Sequence, residues 1–302
     1  MSMFGRIPGW EPSAGVREPA PSAGGAARVR IVTDSASDIL PSHARAIGAL
    51  VIPTRIVMDG AVFRDGIDLT ASEFYARLPR LQTPPSTEPA SPQEFYQAYQ
   101  TAFYQGATAI ISIHVSSRLS KTVEHAVAAG GYFPPQSIDV IDSLQAGIGM
   151  WPAVIRATQL ARLGAPAHVI RETASSVLAR TRLYALVESL EQLRRNGRIG
   201  RAQALLGTML DAHPIITIEQ GEVTPVETVR PRARGLLRLR ELVQEAGALE
   251  TLLVCGTNIE SIGQLEAVLA EQFQGPIQKT WLGPAIGANT GPCVAVAVVA
   301  RL

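Results

Sequence analysis

The chain has little of several things that usually announce a function. Of its 302 residues only two are cysteines, Cys255 and Cys293. Two are too few for a disulfide framework, and their separation is not that of a metal site. Both sit in apolar, strand-like runs, where a small buried side chain is the expected role. The five histidines, His43, His114, His125, His168 and His213, never pair at ligand spacing on one helix, so no metal is expected. The formal net charge is +1, lysine is confined to Lys121 and Lys279, and no basic stripe is interleaved with aromatics. A nucleic-acid partner is not expected. No apolar run reaches the roughly 18 residues that span a bilayer, and the first residues lack the layout of a signal peptide. A cytoplasmic protein with no stable membrane insertion follows as the expectation. There is no G-x-x-x-x-G-K-[ST] loop, and a dinucleotide fingerprint around Gly147 and Gly149 fails at Pro152. No cofactor is expected.

What is present is a large apolar fraction, 46%, enough to bury the cores of two domains. Residues 1–27 are rich in Pro, Gly, Ala and Ser without helical or strand period, and read as a disordered leader. From Arg28 onward β-branched runs alternate with helical patterns, the signature of a mostly parallel sheet. Strands are expected at 28–33, 50–57, 108–115 and 138–142. Thr70 with Glu73, and Ser91 with Glu94, have capping-box spacing at helix starts. Helices are expected at 146–163 and 166–180, and the boundary between domains is set between them, giving units 28–165 and 166–302. The second unit reads as α+β: a strand at 182–189, a helical stretch at 190–196, a break at Gly197, another helix to 210, a hairpin about Gln220 and Gly221, strands at 251–255 and 292–299, and a helix at 259–273 between them.

Hydroxyls gather where strands hand over to helices, in "VTDSASD", "PPSTEPAS" and "VSSRLSKT". The carboxyl ends of parallel strands open on one edge, so these turns can meet there. Unpaired N–H groups at helix starts favour an anion, and short hydroxyls suit a carboxylate or phosphate. Ordinary capping explains each cluster taken alone.

The blocks "IVTDSASDI", "PSTEPASPQEF", "ISIHVSSRLSKT", "VIDSLQAGIG", "LRRNGRIGRAQALLGTMLDAHPIITIEQGEVTPVETVR" and "NTGP", in this order, resemble the DegV family of bacterial fatty-acid-binding proteins. The resemblance implies a Rossmann-like α/β domain followed by an α+β domain, with one long-chain fatty acid in a tunnel between them. It implies a non-catalytic, substrate-presenting role in which a separate ATP-dependent fatty acid kinase phosphorylates the acid. The family motifs T-S-x-P-S and S-S-x-L-S-G-T bring the carboxyl-binding hydroxyls onto Thr87 and Ser120, with Ser117 and Asn289 beside them. Arg198 in "NGRI" and Arg230 in "ETVR" fall where the family has arginines near the head group, for phosphoryl transfer or kinase docking. Asp34, Ser35, Ser91 and Lys121 are expected to support these groups from behind. Arg194, Arg195 and Arg201 read as solvated helix-end charges.

The sequence departs from the family pattern at Glu88 (for serine), at Lys121 (for glycine), at Asn289 (for histidine) and at Cys293 (for glycine). An asparagine hydrogen-bonds but carries no proton at neutral pH. Two other readings stay open: a serine-dependent hydrolase or phosphotransferase with Ser120 as nucleophile and His114 as base, and a carrier of a different amphipathic acid. A monomer is expected.

Overall fold

The computed structural model describes residues 28–205 and 212–301. The expected leader, and the end of the helix expected to reach 210, lie outside them.

The first half is built on a four-stranded parallel sheet in the order Leu50–Ile52, Val29–Asp34, Ala109–His114, Ile138–Asp142. Its two central strands are buried along most of their length, with the polar Thr33, Asp34, Ser112 and His114 buried beside their apolar residues. Phe95, Tyr99 and Phe103 of helix Pro92–Tyr104 and Ala126 and Ala129 of helix Thr122–Gly130 cover one face. Trp151, Val154 and Ala157 of helix Trp151–Arg162 and Ile170, Ala174 and Val177 of helix Ala167–Arg180 cover the other.

The expected strand 50–57 is two strands in different sheets. Pro53 has no N–H for a ladder and the N–H of Thr54 goes to the Ser35 hydroxyl at 3.0 Å, so pairing breaks there. Arg55–Met58 instead pairs antiparallel with Ala61–Arg64 and with Ser86–Glu88. Both capping boxes form, at Thr70 for helix Ala71–Arg77 and at Ser91 for helix Pro92–Tyr104. The helix expected from 146 opens as a 3-10 turn, Gly147–Gly149, because Gly147 takes a left-handed φ of 57°.

The second half is a six-stranded sheet in the order Glu222–Val229, His213–Glu219, Thr181–Val187, Cys293–Ala300, Leu249–Gly256, Gln278–Trp281. All pairs are antiparallel except the last. The alternation of Cys293–Ala300 decides how the halves meet. Val294, Val296 and Val298 point toward helices Arg232–Glu245 and Ile259–Leu269 and join their core. Cys293, Ala295, Ala297 and Val299 point the other way, into the core shared with helix Trp151–Arg162. Large side chains thus fill one face, while mostly small ones leave room on the other.

The expected hairpin forms, with φ of 51° at Gln220 and 83° at Gly221. Its tip docks on the first half, where the Ser116 hydroxyl donates to the Gly221 carbonyl at 2.8 Å. A Cβ on Gly221 would fall 2.4 Å from the Ser116 oxygen, so both the turn and the contact require glycine. No described helix is long and apolar enough to cross a membrane.

Candidate functional site

A mostly apolar cavity lies between the two halves, with about 970 Å³ of space between atoms, its open mouth included. Val115, Ala146, Gly147 and Ile148 form its wall on the side of the parallel sheet. Leu183, Ala185, Ile216, Cys255 and Ala295 form the facing wall from the second sheet. Ala295 pairs with Ala185 on one side and Cys255 on the other, and Ala185 pairs with Ile216. Three small residues in one row make the hollow.

Thr87, Ser120, Arg198 and Asn289 line this same cavity. Thr87 sits in the short strand Ser86–Glu88, opposite Ile56. Arg55 fastens that strand with all three nitrogens of its guanidinium, to Glu88 Oε2 at 3.3 Å, Glu94 Oε2 at 2.6 Å and the Pro89 carbonyl at 3.0 Å. The charge of Glu88 is therefore answered by Arg55. Asn289, near the end of helix Pro284–Thr290, donates from Nδ2 to Thr87 Oγ1 at 3.3 Å and to the Ala285 carbonyl at 3.0 Å. Its Oδ1 is buried without a partner among the described residues. Asn196 donates to the carbonyls of Pro85 and Ala288, at 3.3 and 2.9 Å, tying the Thr87 strand to the same helix.

Ser120 precedes helix Thr122–Gly130 and shares a 2.8 Å hydroxyl contact with Thr122, itself a cavity residue. Arg198 reaches beside it, donating from Nε to the Leu119 carbonyl at 3.2 Å and from Nη1 to the Asn196 carbonyl at 2.5 Å. Hydroxyls, an amide and a guanidinium are thus brought together at one region of a mostly apolar cavity. Such a set can hold a carboxylate while the hollow behind it takes a hydrocarbon.

Other expected residues are elsewhere. Ser117 is exposed and its N–H bonds Asp142, so it does not reach the cavity. Arg230 is exposed after strand Glu222–Val229 and is not among the residues that line the cavity. Lys121 points to solvent, and Ser91 is spent on its capping box. Asp34 and Ser35 are buried: Asp34 accepts from the N–H groups of Ala36 and Val115 and meets His114 Nδ1 at 2.9 Å. His114 Nε2 meets Ser112 at 2.6 Å, and Ser112 meets Tyr99 at 2.8 Å. With both ring nitrogens so engaged, His114 is not a base for Ser120, and the hydrolase reading loses its geometry. Arg194 and Arg195 pair with Glu191, and Arg201 with Glu222, as solvated charges.

Two carboxyls that the sequence did not point to hold the start of helix Pro284–Thr290. The N–H of Gly283 donates to Asp38 Oδ1 at 3.0 Å and that of Ala285 to Asp65 Oδ2 at 3.2 Å. Burial pushes Asp65 up to about 7, against the lowering effect of its bonds from Ser35 and Ala285. An unfolded chain loses this proton near 3.8, so between pH 4 and 7 the folded state keeps a proton that the unfolded state has released. The stability contributed by the protonated group is therefore present at pH 4 and lost as pH rises toward 7. The full span corresponds to on the order of 4 kcal/mol. Asp65→Asn, which keeps the acceptor, should flatten this part of the profile in urea denaturation at pH 4 to 7. An unchanged slope would show that Asp65 titrates normally.

Known proteins agree with this architecture. A model of the DegV family, described as uncharacterised, matches residues 28–301. A DegV domain-containing protein of Deinococcus radiodurans is 32% identical over 269 residues, covering 87% of this chain and 95% of that one. A DegV family protein of Thermus thermophilus, whose structure is described by its fatty acid binding, superposes with a TM-score of 0.82 at 26% identity, over 91% of this chain and 100% of that chain. A Bacillus subtilis protein, DegV, at 24% identity and a TM-score of 0.80, covers 90% of this chain and 99% of its own and shares the fold. With a family model matched across nearly all of the described residues and a relative of 32% identity spanning most of the chain, the chain belongs to the DegV family.

Proposed function

We propose that the chain binds one long-chain fatty acid in the cavity between its halves, which we take as residues 28–165 and 166–302, and presents the carboxyl group to an ATP-dependent fatty acid kinase. The observation that carries this reading is the linked group Thr87, Ser120, Asn289 and Arg198 in a cavity lined mostly by apolar side chains. The relative from Thermus thermophilus, described by its fatty acid binding, supports the same ligand class. Burial of about fifteen methylenes at about 0.8 kcal/mol each gives on the order of 12 kcal/mol before ordering costs. The tail supplies affinity, and the polar groups decide which end faces out. Arg198 brings positive charge to the head group, where an incoming phosphoryl group would add negative charge.

Calorimetric titration of the delipidated chain tests the binding step. A saturated acid of about sixteen carbons should bind one per chain and markedly tighter than the alcohol of equal length. Equal affinities would remove the carboxyl site from the account. Acyl phosphate, trapped with hydroxylamine after incubation of the loaded chain with kinase and ATP, tests presentation. Free fatty acid alone would leave the chain as a carrier.

A further inference from the structure

The tunnel contains a second polar group that the head-group site does not use. Asp38 is 4% exposed and lines the cavity. Its backbone is anchored by a bond from Thr280 to its carbonyl at 3.1 Å, and its Oδ1 by the N–H of Gly283. Oδ2 has no partner among the described residues and faces Gly147, where a Cβ would stand 3.0 Å away. Gly147 also lines the cavity, so this oxygen is left open toward it. Burial, with Asp65 and Asp34 nearby, pushes Asp38 well above the ordinary carboxylate range, which favours a form with a proton to donate and an oxygen to accept. Cys255 and Cys293 line the same cavity as neutral thiols, held so by burial. The Tyr75 hydroxyl, also buried without a partner among the described residues, lies within electrostatic reach of Asp38 and both thiols. An all-apolar tail has nothing to offer this patch.

We propose that the tunnel accepts fatty acids carrying a hydroxyl or keto oxygen in mid-chain, and that Asp38 Oδ2 is the group that recognises it. The proposal rests on the fatty-acid reading above and narrows the ligand class. The position along the chain comes from helix Pro284–Thr290, which has Gly283 and Asp38 at its start and Asn289 near its end. Six residues at about 1.5 Å of rise separate these two points by roughly 9 Å. That distance meets the middle of a long acyl chain held by its carboxyl at Asn289.

The test is a positional series of hydroxyoctadecanoic acids, with plain octadecanoic acid as reference, titrated into the delipidated chain. In a wholly apolar tunnel a buried hydroxyl weakens binding on the order of 10-fold or more wherever it is placed. The expected profile instead has a maximum at a mid-chain position, where the hydroxy acid equals or exceeds the plain acid. Asp38→Gly, which tolerates the left-handed φ of 57° at this site, should erase the maximum; because it also removes the bond that holds Gly283 at the start of helix Pro284–Thr290, each affinity is read relative to plain octadecanoic acid in the same variant. Asp38→Asn, which keeps the bond from Gly283, guards against loss of fold and should favour keto over hydroxyl oxygen. A uniform penalty at every position, with the plain acid tightly bound, would overturn the role of Asp38 while leaving the fatty-acid reading intact. Failure of every acid, plain and substituted, would overturn both.

Discussion

Ala295→Phe should weaken binding of long-chain fatty acids by on the order of 1,000-fold while leaving the fold intact. Ala295 is 4% exposed at the centre of the row Ile216, Ala185, Ala295, Cys255, on the face of the second sheet that looks into the cavity. A phenyl ring there occupies the space of the tail and finds apolar neighbours, so the empty protein loses little stability. Displacing about five methylenes from the tunnel costs about 4 kcal/mol, on the order of 1,000-fold in affinity. Acids of few carbons, which end before the obstruction, should retain their modest binding. Calorimetry across chain lengths, with thermal denaturation as a control for folding, reads the result. Unchanged affinity for a long acid would mean that the tail does not run along this row.

Ser120→Ala acts at the other end and should leave a different signature. The hydroxyl lines the cavity, and its present contact is with Thr122. A carboxylate bound beside Thr87, Asn289 and Arg198 gains one charge-assisted hydrogen bond from it, of about 1.5–3 kcal/mol. Its loss weakens binding by roughly 10- to 100-fold. Because the tail is untouched, the gain per added methylene should stay as in the unaltered protein, and every chain length should weaken by the same factor. Thr87→Val should behave alike, and the alcohol of equal length should be less affected by either change. A factor that grows with chain length would assign Ser120 to the tail.

Much of the fold is legible in the sequence where a local rule decides the structure. The capping boxes at Thr70 and Ser91, the turn at Gln220 and Gly221, and the apolar central strands all follow from short-range chemistry. Strand Ala61–Arg64 is largely exposed and strand Ser86–Glu88 has three residues, so neither carries a hydrophobic period. Helix Pro284–Thr290 lies in a stretch rich in Gly and Pro, and its start is held by Asp38 and Asp65 from more than two hundred residues away. No local pattern reports such a bond.

The site divides the same way. Motif resemblance singled out Thr87, Ser120, Arg198 and Asn289, which line one cavity, but also Ser117 and Arg230, which do not. Adjacency in a motif does not fix which way a side chain faces. Ser116, in the same hydroxyl cluster, turns out to fasten the hairpin to the first half. Asp38 went unnoticed because an aspartate after a strand reads as an ordinary turn residue. Only the closing of the second sheet over it makes it a buried carboxyl in a tunnel.

Native mass spectrometry of the freshly purified chain, followed by denaturation and identification of what is released, tests the central claim most directly. The account predicts one long-chain fatty acid per chain, lost on denaturation and restored to the emptied protein by incubation with the same acid. A chain that is empty as purified, and stays empty after incubation with a panel of saturated, unsaturated and hydroxylated acids, would contradict it.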